Sequence, residues 1–127
     1  MIKSYRDLKV YTLAYDTAME VYWMTRKFPK EELYSLTNQI CRSSRSIGAN
    51  IVEGWAKRTH PNIFKRHLLD AIGSCDETRY WLNIALDCKH ITEPQWKALD
   101  AKFEEIGRML GSLFKRWHKI DEPLSSE

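Results

Sequence analysis

Thr92–Ile120 reads TEPQWKALDAKFEEIGRMLGSLFKRWHKI, and its apolar residues Trp96, Leu99, Phe103, Ile106, Leu110, Leu113, Trp117 and Ile120 recur at alternating intervals of three and four. That spacing keeps one stripe on one face of a helix through more than three heptads. The start is equally clear. Thr92 stands at the cap with Gln95 three residues later, a capping-box pattern, and Pro94 sits in the first turn where its missing N–H does no harm. A long helix with a single apolar stripe must bury that stripe on other helices, so the chain is expected to be an all-α bundle.

Three more helical segments precede it. The first runs from about Tyr5 to Phe28, opened by Ser4 or Asp7 and stopped by Pro29. It carries two adjacent stripes, Val10, Ala14, Val21, Met24 and Phe28 beside Leu8, Tyr11, Tyr15 and Tyr22. The tyrosines fit either a wet surface or a subunit interface. The second segment runs from Glu31 or Leu33 to Arg58, with Leu33, Leu36, Ile40, Ser44, Ile47, Ile51 and Trp55 inward. Gly48 and Gly54 each cost on the order of 1 kcal/mol of helix propensity, which implies that something packs closely there. The third is capped by Thr59, has Pro61 in its first turn and reaches Cys88, with Phe64, Leu68, Ala71, Cys75, Thr78, Leu82 and Ala85 inward. Connections near Pro29, Thr59 and His90 are short, so consecutive helices should be antiparallel neighbours in an up-down-up-down four-helix bundle. Residues 1–120 then form one domain and 121–127 a flexible tail.

Composition limits the function classes. A chain of 127 residues with 43% hydrophobic and 29% charged side chains is a foldable single domain. No apolar run reaches bilayer length and the N-terminus MIKSYRDLKV lacks a signal core, so a cytoplasmic protein is expected. Cys41, Cys75 and Cys88 have neither disulfide-framework nor zinc-knuckle spacing and are read as packing residues. His60 and His67 could share a helix face but lack an obvious third ligand. Asp87 and His90 form one carboxylate–histidine pair where a di-iron bundle needs two. The adjacent acids Asp76-Glu77 and Glu104-Glu105 diverge on a helix and make no dyad. No catalytic residue, metal site or cofactor is expected, and an enzyme is not.

Charge is distributed unevenly. Between Asn38 and Leu69 six bases, Arg42, Arg45, Lys57, Arg58, Lys65 and Arg66, face the single acid Glu53, so a net charge of +3 conceals a local +5. A phosphate-bearing partner would be drawn there. Trp55 beside Lys57 and Arg58 is either a packing anchor or a surface on which an unpaired base could stack.

The run Ser46-Ile47-Gly48-Ala49-Asn50-Ile51-Val52-Glu53-Gly54, followed by Lys57 and Arg58, resembles the hallmark of the bacterial 23S rRNA intervening-sequence proteins. Asp7–Tyr11, Phe28–Tyr34, Leu36-Thr37, Ala71–Thr78 and Glu105–Leu113 resemble further segments of that family in the same order. The ending Phe114–Ile120 departs from its usual Asn-Pro-Glu-Lys type and adds a basic cluster. The resemblance implies a four-helix protomer assembling into a homopentamer with no cofactor. It also implies kinship with accessory proteins of diversity-generating retroelements, which engage nucleic acid and a reverse transcriptase.

Asn50 and Glu53 belong to the hallmark and lie on the flank of the second helix. They fit either a binding site or, as the preferred reading, polar groups partly buried between helices whose hydrogen bonds fix helix register or subunit orientation. The expectation is therefore a non-enzymatic homo-oligomer binding structured nucleic acid, RNA before DNA, through the six bases. The alternative is a protein-interaction scaffold or accessory subunit, for example of a reverse transcriptase.

Overall fold

The computed structural model describes residues 2–117, which form four helices and no strand: α1 (Lys9–Thr25), α2 (Leu36–Ala56), α3 (Pro61–Asp87) and α4 (Glu93–Arg116). Cross-helix contacts fix their directions. Ser43 meets Thr78, Ser46 meets Ser74 and Asn50 meets His67, so α2 and α3 are antiparallel. Cys75 with Phe103, Arg79 with Asp100 and Asn83 with Trp96 show the same for α3 and α4. Tyr22 with Arg45 and Thr25 with Cys41 do so for α1 and α2. α1 closes the ring on α4, and the backbones of the two diagonal pairs stay more than 8 Å apart between Cα atoms. This is the antiparallel four-helix bundle that the apolar periodicity predicts.

The core follows the stripes. All seven predicted inward positions of α3 are buried, as are Leu99, Phe103, Ile106, Leu110 and Leu113 of α4, while Trp96 is half-buried against them. Helix ends depart from the sequence reading more than helix faces do. Ser4 does cap a helical turn, but a short 3-10 turn, Tyr5–Asp7, and the α-helix begins only at Lys9. Lys30–Glu32 is a second 3-10 turn, so α2 begins at Leu36 and Leu33 is exposed instead of inward. His60 and not Thr59 occupies the α3 cap, with no side-chain cap bond, because Pro61 already presets the first turn. Thr92 and Gln95 form the capping box as read. α4 stops at Arg116, leaving Trp117 buried just beyond the helix, whereas Ile120 and the 121–127 tail lie outside the described residues.

Of the two helical glycines on α2, only Gly54 answers to packing. A Cβ there would lie 2.8 Å from the His67 Cβ and 3.0 Å from the Phe64 ring. A Cβ at Gly48 would meet nothing within 4 Å, so no neighbour among the described residues requires that glycine.

A candidate nucleic-acid interface on the second helix

α2 turns three different surfaces to its surroundings. Its inner stripe, Ile40, Ser44, Ile47, Ile51 and Trp55, fills the core. Trp55 packs edge-on against Phe64 at 6.3 Å between ring centroids and lies 6.0 Å from Trp117. It is a packing anchor, and its buried ring is not offered to a base.

The side of α2 toward α3 is a polar seam. The Thr78 and Ser43 hydroxyls meet at 2.8 Å, and Ser74 donates to the Ser46 hydroxyl at 2.9 Å. Asn50 donates to the Ser46 carbonyl at 3.0 Å, and its carboxamide oxygen lies 3.1 Å from His67 Nδ1. That oxygen can only accept, so the ring nitrogen carries the proton. Small side chains let the helices approach closely enough for these bonds to form. Asn50 is thus half-buried with partners on both helices, whereas Glu53 is not. Its side chain is 62% exposed and reaches Lys57 at 3.9 Å one turn on, a surface pair instead of a buried one. Asn50→Ala leaves the half-buried His67 Nδ1–H without its acceptor and should cost about 1–3 kcal/mol in chemical denaturation, against no more than about 1 kcal/mol for Glu53→Ala. Equal effects would remove Asn50 from its structural role.

The outer face is the basic one. Asn38, Arg42, Arg45, Ala49, Glu53, Ala56 and Lys57 are all exposed and follow one another along the helix. Arg42 and Arg45 are engaged by no carboxylate among the described residues, and the Arg45 guanidinium lies 5.5 Å from the centre of the Tyr22 ring. The remaining bases diverge from this stripe. Arg58 folds back over Trp55 at 4.4 Å and donates to its carbonyl at 3.0 Å. Lys65 leans over Phe114 in the seam with α4 at 4.9 Å, and Arg66 points outward from α3. The fold therefore aligns Arg42, Arg45 and Lys57, places Arg58 at the helix tip, and carries Lys65 and Arg66 to a neighbouring helix. It also brings Lys115 and Arg116, in the last turn of α4, to the same end of the bundle, which a count confined to 38–69 could not reveal.

Beside the basic stripe runs an open groove between α1 and α2, about 290 Å³ in volume, lined by Tyr11, Ala14, Tyr15, Met19, Gly48 and Val52. Tyr15 is 55% exposed there. The other polar groups are ordinary. Arg79 makes two bonds to Asp100, at 2.9 and 3.1 Å, which tie α3 to α4. Burial pushes the Cys75 thiol up to about 12, so it stays neutral and donates to the Phe103 carbonyl at 3.0 Å. Cys41 is likewise a packing residue, but Cys88 is exposed, contrary to the reading of all three cysteines as packing residues. Among the described residues no helix is long and apolar enough to cross a membrane.

An antiparallel arrangement with a small-residue polar seam on one flank of its second helix and a basic stripe on another defines a small four-helix bundle protein. The model of the 23S rRNA-intervening sequence protein family matches residues 6–112, and the chain belongs to that family. Its fold is similar to the crystal structure of a protein with unknown function from the S23 ribosomal protein family of Bacteroides thetaiotaomicron VPI-5482. The TM-score is 0.77 at 28% identity, over 84% of this chain and 95% of that one. No curated protein matches the chain.

Proposed function

We propose that this protein is a non-enzymatic homo-oligomer, a pentamer in the working arrangement, that binds structured nucleic acid, RNA before DNA, through the outer face of α2. The observation that carries the reading is the pair Arg42 and Arg45, both exposed and neither engaged by a carboxylate among the described residues. Charges left unpaired on a rigid helix can neutralise phosphates at little ordering cost, and a ring of copies repeats the patch around its axis. Lys57, Arg58, Lys65 and Arg66 extend the field, with Lys57 partly offset by Glu53.

A second reading, a scaffold or accessory subunit, for example of a reverse transcriptase, is favoured by the apolar groove that borders Arg45. There the same helix would be covered by protein. Light scattering followed by RNA titration separates the two. The first reading expects a mass several times 15 kDa and RNA binding at moderate salt. A monomer at all concentrations removes the ring, and an assembled protein that ignores RNA favours the scaffold.

A further inference from the structure

At the end of the bundle away from Trp55, the two connections on either side of the α2–α3 hairpin touch through Glu32, in the turn before α2, and His90, between α3 and α4. Glu32 Oε2 lies 2.8 Å from His90 Nε2, and its other oxygen accepts from the Ser35 hydroxyl at 2.7 Å. Those two bonds hold the carboxyl below its ordinary range, so it stays ionised. The imidazole is fixed in turn by the Phe28 ring, 5.4 Å away between centroids, and only 15% of the His90 side chain is exposed. Lys89, between Cys88 and His90, has a φ of 62°, the left-handed conformation usually given to glycine. It closes the end of α3, with His90 N donating to the Ala85 carbonyl and Lys89 N to the Leu86 carbonyl, each at 2.9 Å. A lysine there costs about 1–2 kcal/mol of backbone strain, and the turn it makes brings the residues on both sides toward Glu32. The Cys88 sulfur, the His90 nitrogen and the Glu32 oxygen all lie within 4.8 Å of one another.

We propose that Glu32, Cys88 and His90 form a binding site for a divalent transition ion of borderline softness, Zn²⁺ foremost. One thiolate, one imidazole and one carboxylate are the donor types that such an ion takes, and two anionic donors balance its charge. Bonds of about 2.0–2.3 Å require a tetrahedral ligand set tighter than 4.8 Å, so the widest separation has to close by roughly 1 Å. Rotation of the exposed Cys88 side chain supplies that movement. On binding, Cys88 releases its thiol proton to solvent, His90 presents the Nε2 lone pair with its ring proton on Nδ1, and the Glu32–His90 hydrogen bond gives way to two bonds to the ion. The fourth position faces water. Ser35 and Phe28 act as the outer support that keeps ligands aimed. The ion would clasp two loops that already meet, independently of the basic face of α2.

The test is titration of the whole protein with Co²⁺ and Zn²⁺ after chelator treatment. Co²⁺ should give a thiolate-to-metal charge-transfer band, and Zn²⁺ should raise the melting temperature. Cys41 and Cys75 are buried, so Cys88→Ser should abolish the band while leaving the metal-free melting temperature unchanged. Cys88→Ser and Glu32→Gln should each weaken Zn²⁺ binding at least about tenfold, the lower end of what loss of even a supporting group brings. A parent protein without the band overturns the site. So does a Cys88→Ser variant that binds Zn²⁺ as tightly as the parent.

Discussion

Phe64→Ala should be among the most damaging single substitutions in the chain, costing about 3–5 kcal/mol of a total that is typically only about 5–15 kcal/mol. The ring is fully buried, lies 4.5 Å from the Trp117 ring centroid and 6.3 Å from that of Trp55, and sits against the bare backbone of Gly54. Truncation loses the burial of an aromatic ring, its edge-on contacts and the packing of three elements at one end of the bundle. The cavity cannot close by a small shift, because α2 approaches there already as nearly as its glycine allows. Ile63, the neighbouring residue, is 42% exposed, and Ile63→Ala should stay within about 0.5 kcal/mol. Chemical denaturation at one fixed protein concentration compares the two, so that any contribution of assembly to stability is the same for both. Similar midpoints for both variants would show that the Trp55–Phe64–Trp117 cluster is not the keystone of that end.

How much of this was legible in the sequence depends on the kind of interaction. The α3 positions Phe64, Leu68, Ala71, Cys75, Thr78, Leu82 and Ala85 are buried because repeats of three and four must share a helix face, whatever packs on it. Caps built from neighbouring residues, as at Thr92 and Gln95, are also local and were readable. Leu33 illustrates the opposite case. Its hydrophobicity fits the α2 stripe, but the 3-10 turn before the helix rotates it off that face. Glu53 was misplaced because helical phase alone does not say how wide the buried seam is, and three residues beyond Asn50 the Glu53 side chain is already exposed. Long-range pairs were invisible. Glu32 and His90 are 58 residues apart, and the one spacing that singles out His90 pairs it with Asp87 instead. Directions of long cationic side chains were equally unreadable, since Lys65 is drawn over a Phe114 ring that only the fold brings near it, and Arg58 turns back onto Trp55, three residues before it, instead of outward.

That divergence sharpens what the basic face should do. If Arg42, Arg45, Lys57 and Arg58 all contact phosphates, a log-log salt slope of roughly −3 follows, which is about a 60-fold loss of affinity between 50 and 200 mM salt. The four are unequal, however. Lys57 faces Glu53, and Arg58 would have to leave the Trp55 ring and carbonyl to reach a ligand, whereas Arg42 and Arg45 give up no ion pair. Arg42→Glu with Arg45→Glu should therefore reduce affinity more than Lys57→Glu with Arg58→Glu, and should bring the salt slope to about half its parental value. Both arginines lie on the exposed face of α2, away from the core stripe, so helicity should not change. Titration of a structured RNA at several salt concentrations, with light scattering of the same samples, reads both quantities. An assembled double variant that binds as tightly as the parent moves the nucleic-acid site off this helix. One that dissociates into monomers assigns the two arginines to a contact between subunits, beside the groove that Arg45 borders, and the scaffold reading then takes precedence.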